Sequence, residues 1–521
     1  MGGNGDLQSH ALEEEWAMSM MARVFLAIVM LVFFPMSPPA AVAAASGTIT
    51  VGMSIDPRTL DPRSIGGDLA WTEMHHILEP LHEFDKDGNL RPMLAESYKR
   101  LNDLTWQFTL RKNVKFHNGE PFTAASVKYT IESTLDPNLK WVNAGEVRNI
   151  AKVEALDDYT VNLVTRIPWR SLINNLAWVY MLPPKAAQQL GDRFGTNPIG
   201  TGPYKFVRYV ANAELEMTAN ENYWGPPPKT KTLIWRALPE DATRNAALEA
   251  GEVQAIPNVS PDVIPRLKSN KDLEVVVMDG TRIVHLAFSW GRPPFDSPKV
   301  RQAFNYAVDR KALVDTILGG MGAVADRHYF HPTTFGFNDK LPPYTFDPAK
   351  AKALLAEAGY PNGIKVKFGC PQGRYLRDKV ICEAIVEQFK KSGISTDFET
   401  LEWGSFWDKA VKARYYDLYL LSWGGDIDPQ RELGFWFDSR NSPIKYSNQK
   451  MDQLIAEGQR VADPEKGKAV YREIQEILWN DNPWIPLYFQ PEIFAKNRKV
   501  NDLYIRRVVP LFDFRQAYMN Q

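Results

Sequence analysis

One segment, residues 105–135, constrains the fold of this chain more than any other part of its sequence. It reads TWQFTLRKNVKFHNGEPFTAASVKYTIESTL. Its first apolar residues, Trp106, Phe108 and Leu110, alternate with other residues, which is the pattern of a strand that buries one face. The HNGE sequence at 117–120 then supplies a turn, because asparagine and glycine tolerate the left-handed backbone of a tight reversal. The segment therefore predicts a strand followed by a turn.

A helix is predicted directly after this turn. Thr123 is a suitable N-cap, and Val127, Ile131 and Leu135 recur at a spacing of four, so they share one helix face. Strand, turn and helix in this order describe a scaffold and no chemistry. The function therefore has to be sought elsewhere in the chain.

Length and charge set broad limits on the function. The 521 residues exceed what one hydrophobic core usually supports, which predicts two or three domains. Basic and acidic residues nearly balance, at 61 and 62, and 44% of all residues are hydrophobic. A chain with this balance lacks the electrostatic footprint of a protein that binds nucleic acid or anionic lipid.

The N-terminal residues 1–45 are predicted to be a signal peptide. Arg23 precedes an apolar run at 24–34. This run is shorter than the about 20 residues that cross a bilayer, but it suits a signal-peptide core. Small residues around Ala43 fit a cleavage site, so we expect the mature chain to begin near Ala44 or Ser46.

The charged residues at the start of the chain are unusual for a signal peptide. Residues 13–15 are three consecutive glutamates, where a signal peptide is normally basic. We therefore expect translation to begin later, at Met18, Met20 or Met21.

The two cysteines, Cys370 and Cys382, leave two readings open. Their spacing is compatible with a disulfide, but spacing alone does not establish the geometry that a disulfide requires. Cys370 falls at a predicted strand end and Cys382 in a predicted helix. We expect two buried thiols, with the disulfide as the alternative.

Two further segments have distinctive sequences. NPIGTGPYKF at 197–206 is followed by NYWG at 222–225, and HLAFSWGRPPFDSPKVRQAFNYAVDRKAL occupies 285–313. The glycines of the first segment do not form a phosphate-binding loop, because Pro203 and Tyr204 lead into a strand where such a loop needs lysine and serine or threonine before a helix.

Together these segments closely resemble those of the extracytoplasmic solute-binding proteins of family 5, which serve peptide, nickel and opine ABC transporters. The resemblance covers nearly the whole mature chain. It implies an α/β fold of the periplasmic-binding-protein type, with two lobes joined by a hinge. The implied parts are a main domain (46–84, 195–284 and 487–521), an inserted subdomain (85–194) and a second lobe (285–486).

The resemblance also implies a function. A protein of this family captures a solute between its lobes and delivers it to an inner-membrane ABC permease, without catalysis and without a cofactor. We expect the solute to be a short peptide. Since no cysteine lies near the predicted cleavage site for a lipid anchor, we expect a soluble, monomeric periplasmic protein. The alternatives are the same scaffold binding an opine, a metal chelate or an oligosaccharide, a secreted enzyme, and a periplasmic chaperone.

The strongest candidate for ligand contact is the turn LSWGGDIDP at 421–429. An alternating strand precedes it, and clefts of α/β sheets bind ligands at the carboxyl ends of strands. In peptide-binding relatives a Trp-x-x-Asp turn at this place supplies a carboxylate for the α-ammonium of the peptide. That role carries over to Asp426, with Trp423 and Gly425 beside it. The alternative is that Asp426 only caps a turn.

A ligand carboxylate would be matched by the planar fork of a guanidinium. Dipeptide-binding relatives place an arginine between a strand and the following helix. The resemblance assigns this role to Arg374 first and Arg377 second, with a solvated surface charge as the alternative. Trp403, directly after a predicted strand, is a candidate aromatic wall of the cleft, although tryptophans more often fill cores.

The sequence gives no support for a metal centre or a nucleophile. His75 and His76 are adjacent and would diverge on a helix or strand, and the metal and nucleophile motifs HExxH, paired CxxC and GxSxG are absent. Asp426 and Asp428 tend to face opposite ways, whereas a glycosidase needs two acids that flank one bond. We therefore expect no catalytic residue, metal or cofactor.

Overall fold

The computed structural model describes residues 46–57, 59–64, 70–85, 88–138, 141–327, 329–424, 428–440, 442–461, 463–506 and 512–520. The predicted signal peptide lies outside these residues. So do Gly425 and Asp426 of the predicted site. Within the described residues, no helix is both long and apolar enough to cross a membrane.

The segment 105–135 folds as its pattern predicts. A strand covers Thr105–Leu110 and a helix covers Ala124–Thr134. Phe108 on the strand and Val127 and Ile131 on the helix are fully buried. They belong to one core, whose buried residues, apart from Leu81, lie between 94 and 181.

Two large sheets organise the described part of the chain. Seven strands form the first in the order Leu273–Met278, Glu492–Asn497, Ala255–Ile256, Ser46–Met53, Thr230–Ala237, Glu214–Ala219, Tyr204–Val210. Six strands form the second in the order Ala323–Val324, Trp484–Phe489, Ile283–Phe288, Leu418–Trp423, Ile364–Gln372, Ile394–Glu402. We call the parts built on these sheets the first lobe and the second lobe.

A smaller antiparallel sheet is inserted in the first lobe. Its described strands follow the order Ala95–Arg100, Thr105–Leu110, Thr160–Thr165, Ile150–Asp157. We call this sheet and the helices packed on it the inserted subdomain. Three two-stranded ribbons complete the described strands: His82–Phe84 with Leu90–Pro92, Val500–Asn501 with Tyr518–Met519, and Tyr504–Ile505 with Phe512–Asp513.

Helices cover the sheets. The described α-helices are Ala70–Met74, Ala124–Thr134, Leu172–Leu176, Pro184–Leu190, Asp241–Glu249, Ile264–Ser269, Pro298–Tyr306, Arg310–Ala312, Pro348–Glu357, Asp378–Lys391, Trp403–Trp407, Gln430–Trp436, Gln449–Arg460 and Pro464–Asp481. Short 3-10 turns occupy Val142–Glu146, Gly191–Thr196 and Pro261–Val263, and π-helical turns occupy Leu313–Ile317 and Asp408–Lys412.

The second sheet is buried on both faces. Along the strand Ile283–Phe288, Val284, Leu286 and Phe288 enter one core, whereas Ile283 and Ala287 enter another. A strand covered on both faces needs apolar residues at every position and not at alternate ones. This explains why the sequence there is almost continuously apolar.

The chain passes between the two large sheets at residues 279–282 and again at 490–491. The two passages are tied together, because the backbone N–H of Gln490 donates to the carbonyl of Arg282 at 2.8 Å. They also pack closely: a Cβ on Gly280 would lie 2.0 Å from the Gln490 carbonyl oxygen. This double passage is the hinge between the lobes.

Cys370 and Cys382 form a disulfide, so the expectation of two buried thiols is wrong. The strand Ile364–Gln372 and the helix Asp378–Lys391 are joined by only a short loop, which folds the helix back on its own strand. The two Cα atoms thereby come within 6.5 Å, inside the range that a disulfide requires. This geometry could not be inferred from the spacing of the cysteines.

Candidate ligand-binding site

A cavity of about 120 Å³ lies between the two lobes. The inserted subdomain contributes one side of it and the second lobe the other. We call it the interlobe cavity. Its described lining residues are Asn143, Glu146, Arg374, Tyr375, Trp403, Trp407, Leu421, Ser422, Gly424, Arg431, Glu432, Phe435 and Trp436.

Sheet topology explains why these distant residues meet. The strands Ile394–Glu402, Ile364–Gln372 and Leu418–Trp423 are neighbours and run parallel. Their carboxyl ends therefore lie at one edge of the sheet, where ligands of α/β proteins bind. The residues that follow them, Trp403, the loop with Arg374, and Gly424, line the cavity in that order across the edge.

Arg374 and Trp403, both predicted site residues, are brought together here. The guanidinium carbon of Arg374 lies 4.9 Å from the centre of the Trp403 ring and 5.3 Å from that of Tyr375. Arg374 is buried, with 6% of its surface exposed. An arginine desolvated between aromatic faces is a strong receptor for a carboxylate that enters the cavity.

Arg377, the second arginine predicted for this role, does not line the interlobe cavity. Its backbone has a φ of 57°, the left-handed conformation, directly before the helix Asp378–Lys391. Its guanidinium lies 3.4 Å from a carboxylate oxygen of Asp262 in the first lobe. The two arginines are three residues apart, but only Arg374 faces the cavity.

The turn predicted to carry the ammonium-binding carboxylate is described only at its ends. The strand Leu418–Trp423 ends at Trp423, and Gly424 lines the cavity. Gly425, Asp426 and the side chain of Trp423 lie outside the described residues. The roles assigned to these three residues stay predictions.

Asp428, at the far end of this turn, serves the backbone and the lobe contact. One of its carboxylate oxygens accepts a hydrogen bond from the N–H of Gln430 at 3.0 Å. The other lies 2.9 Å from the guanidinium of Arg170, which belongs to the inserted subdomain. The carboxylate of Asp428 is therefore engaged by the backbone of its own turn and by the inserted subdomain.

Charged residues that the sequence reasoning missed cross the cavity between the lobes. Arg431 Nε lies 2.9 Å from Glu146 Oε1, and Arg431 Nη1 lies 2.8 Å from Glu432 Oε1. The second oxygen of Glu146 accepts a hydrogen bond from Asn175 at 2.9 Å, which fixes this carboxylate within the inserted subdomain. The second-lobe arginine also lies 4.7 Å over the ring of Trp178.

The missed residues differ in how visible they were in the sequence. Arg431 and Glu432 lie in the first turn of the helix that follows the predicted turn. Their closeness to that turn in the sequence was a signal for them. Asn143 and Glu146 gave no signal, since they precede Arg431 by nearly 300 residues and lie in a 3-10 turn of the inserted subdomain. Only the contact between the lobes makes them part of the site.

A second and larger cavity, of about 580 Å³, lies within the first lobe. Its deepest charges compensate one another: Arg515 lies 3.1 Å from Glu83 and forms an ion pair with Asp513, and Arg506 lies 2.8 Å from Asp513. This cavity does not lie between the lobes, and it contains none of the predicted site residues. The interlobe cavity is therefore the better candidate in spite of its smaller volume.

No group of three or more histidine, cysteine, aspartate or glutamate side chains among the described residues is placed to hold a metal ion. His75 and His76 diverge, as their adjacency predicts. His76 Nε2 accepts a hydrogen bond from the N–H of Phe514 at 2.9 Å, whereas His75 faces Glu83 and Asp513. Burial lowers the pKa of His76 to about 3, so this ring is neutral and structural.

Comparisons with known proteins identify relatives of this chain. Residues 89–443 match the middle region of the bacterial extracellular solute-binding proteins of family 5. The chain is 30% identical over 494 residues to the glutathione-binding protein GsiB of Pectobacterium atrosepticum. The alignment covers 92% of this chain and 95% of the relative.

Solved structures share the fold. The ABC transporter-associated periplasmic binding protein DppA from Helicobacter pylori, in complex with the peptide STSA, superposes with a TM-score of 0.85 at 25% identity, over 92% of this chain and 99% of the other. The binding protein AgaA from A. tumefaciens R10, in complex with agropinic acid, superposes with a TM-score of 0.82 at 26% identity, over 91% and 99%.

Proposed function

The chain belongs to family 5 of the bacterial extracellular solute-binding proteins, and on this premise we propose that it is the receptor of an ABC importer for a short peptide. One observation carries the proposal. A cavity between the lobes holds a buried arginine, Arg374, against Trp403 at the carboxyl edge of a parallel sheet. The alternative classes, a secreted enzyme or a chaperone, gain no comparable support from the described residues.

Capture occurs by closure of the lobes about the hinge. A ligand favours the closed state only through contacts that it makes better there than in the open state. The lining of the cavity supplies such contacts from both sides, because Asn143 and Glu146 come from the inserted subdomain and the remaining residues from the second lobe. Closure also removes water, which strengthens the charged contacts.

The charges of the site support a peptide. Arg374 receives the terminal carboxylate and Asp426 pairs with the α-ammonium, with Trp423 and Gly425 in the same turn. The small cavity and its tryptophan walls favour a short ligand. Two relatives support a peptide ligand, since GsiB is a glutathione-binding protein and DppA was solved with a peptide.

An opine is the second candidate ligand. AgaA, a structural relative, was solved with agropinic acid. An opine has carboxylates that Arg374 would bind, but it lacks the free terminal amine of an ordinary peptide. The binding of acetylated peptides therefore separates the two classes.

The compartment and partners follow from the same proposal. The mature protein works in the periplasm without a lipid anchor, as a monomer, and hands its ligand unchanged to the permease. Native mass spectrometry of the purified protein tests these points together, because it reports the oligomeric state and the mass of the bound ligand before and after incubation. A change in ligand mass would contradict the receptor role.

The ligand assignment is tested by calorimetry with a panel of three peptides: dialanine, alanyl-phenylalanine and glutathione, with agropinic acid for comparison. We expect Arg374→Gln to weaken the binding of free-acid peptides by about 2–5 kcal/mol, as for the loss of one partner of a buried charged pair. Arg327→Gln is the matched control, since Arg327 pairs with Asp326 within the second lobe and does not line the cavity. Equal losses in the two variants would contradict the role of Arg374.

A further inference from the structure

We infer that Asp378 is a positioning residue for ligand binding, which holds the loop with Arg374 and Tyr375 in the shape that presents the Arg374 guanidinium to the cavity. The inference rests on the proposed function. Asp378 does not line the interlobe cavity, so it acts on the ligand only through the loop.

The carboxylate of Asp378 gathers the backbone of this loop. One oxygen accepts hydrogen bonds from the N–H of Arg374 at 2.8 Å and of Tyr375 at 3.0 Å. The other accepts from the N–H of Gly373 at 3.1 Å and of Lys379 at 2.8 Å. Both oxygens are thus occupied by backbone donors, and three consecutive residues of the loop are fixed by one side chain.

This arrangement is buried, and all four of these hydrogen bonds to the carboxylate come from the backbone. Asp378 is 3% exposed. Its burial raises its pKa to about 6, while the backbone amides act in the opposite direction. A carboxylate is costly to bury, and the four amide donors are what offset that cost.

Two outer tethers hold the same loop. The N–H of Leu376 donates to Gln490 Oε1 at 3.0 Å, and Gln490 belongs to the hinge. The hydroxyl of Tyr375 accepts a hydrogen bond from the N–H of Ser422 at 3.1 Å, next to the predicted ammonium-binding turn. The loop that Asp378 shapes is therefore in contact with both the hinge and the neighbouring strand.

The disulfide reinforces this assembly from the other side. Cys370 lies on the strand that precedes the loop and Cys382 on the helix that follows it. Strand, loop and helix are thus closed covalently around Asp378. A guanidinium that has to meet a carboxylate with two parallel hydrogen bonds requires this kind of rigid support.

The test is the discrimination between free-acid and C-terminally amidated forms of each panel peptide that the wild-type protein binds. Asp378→Asn keeps the size of the side chain but turns one acceptor into a donor that faces backbone N–H groups. We expect it to reduce the preference for the free acid by about tenfold, since displacement of a recognition group by about 1 Å has large effects.

Asp463→Asn is the matched control. Asp463 also accepts two backbone hydrogen bonds at the start of a second-lobe helix, from Glu465 and Lys466, but these bonds do not involve the loop of Arg374, and Asp463 does not line the interlobe cavity. It should lower thermal stability and leave the free-acid preference unchanged. An unchanged preference in Asp378→Asn would overturn the inference, while failure of the wild-type protein to bind any panel peptide would overturn the proposed function instead.

A second measurement needs no variant and applies if Asp378→Asn does not fold. Amide hydrogen exchange of the unliganded wild-type protein should show slow exchange at Arg374 and Tyr375, because their N–H groups are bonded to a buried carboxylate. Exchange at the rate of an open loop would overturn the inference.

Discussion

Glu79 shows at the scale of one residue how the first lobe is held together. Its carboxylate is fully buried and accepts hydrogen bonds from Thr201 at 2.7 Å, Tyr223 at 2.6 Å and Trp224 at 2.7 Å. The donors come from the two glycine-containing segments at 197–206 and 222–225. Their sequences are distinctive, but no role was predicted for them. The carboxylate is the point at which these segments meet.

Stability should depend on pH through Glu79. Burial raises the pKa of this carboxyl to about 7, against the hydrogen bonds, which lower it. The folded state therefore holds the proton more tightly than the unfolded state. This contribution to stability is complete below the unfolded pKa of about 4.3 and is lost as the pH rises through about 7.

Glu79→Gln removes this dependence, because glutamine resembles the protonated acid. Between pH 5 and pH 8 the wild-type protein should lose stability on the order of 2 kcal/mol more than the variant, as measured by urea unfolding. Glu132→Gln changes a glutamate on the exposed side of a helix and should follow the wild-type protein. Parallel pH profiles of Glu79→Gln and the wild-type protein would refute the assignment.

Among the elements, the HNGE turn joins the inserted subdomain to the segment 197–206, which leads into the first sheet. Nε2 of His117 lies 2.9 Å from the carbonyl oxygen of Gly202, and Nδ1 of the same ring accepts a hydrogen bond from the N–H of Gly200 at 3.3 Å. Burial lowers the pKa of His117 to about 4, so the ring is neutral and can both donate and accept. The turn is thus a docking element of the scaffold.

Gly200 is required for this docking. A Cβ at Gly200 would lie 1.9 Å from the carbonyl oxygen of Ile77, which is backbone and cannot move aside easily. Overpacking typically costs about 1–3 kcal/mol. We expect Gly200→Ala to lower the free energy of unfolding by at least this amount. Gly145→Ala is the control, because nothing lies within 4 Å of its Cβ position. Chemical denaturation of both variants compares them, and equal stabilities would contradict the steric argument.

At the scale of the whole molecule, two arginines reach from one lobe into the other in opposite directions. Arg431 of the second lobe meets Glu146 of the inserted subdomain. Arg170 of the inserted subdomain meets Asp428 and donates to the Tyr471 hydroxyl at 3.0 Å in the second lobe. These contacts exist only while the lobes touch, so they contribute to the balance between open and closed states.

Arg170→Ala should therefore shift that balance toward the open state. Arg170 lies outside the lining of the interlobe cavity, so the change acts on closure and not on ligand contact. We expect roughly tenfold weaker peptide binding, which corresponds to about 1.4 kcal/mol, and a larger radius of gyration of the unliganded protein in X-ray scattering. Arg166→Ala, at an exposed position nearby, should change neither quantity. Unchanged affinity and radius in Arg170→Ala would contradict the role of this contact.

The sequence by itself determined the local structure and the class of the protein. Alternation and spacing of apolar residues depend on neighbours along the chain, so the strand, turn and helix of residues 105–135 were predicted with the N-cap at Thr123. The sequences of three segments identified the family. Arg374 and Trp403 were predicted to lie just after the carboxyl ends of their strands.

Tertiary structure decided what the site contains. Glu146 and Arg431 meet because two lobes close on each other, and no pattern along the chain records that contact. The disulfide depended on a helix folding back on its strand, and the placement of Arg374, but not of Arg377, at the cavity depended on the loop between that strand and helix. Local sequence fixes which elements form, but the direction in which a side chain points into a cleft is set by the packing of elements that lie far apart in the chain.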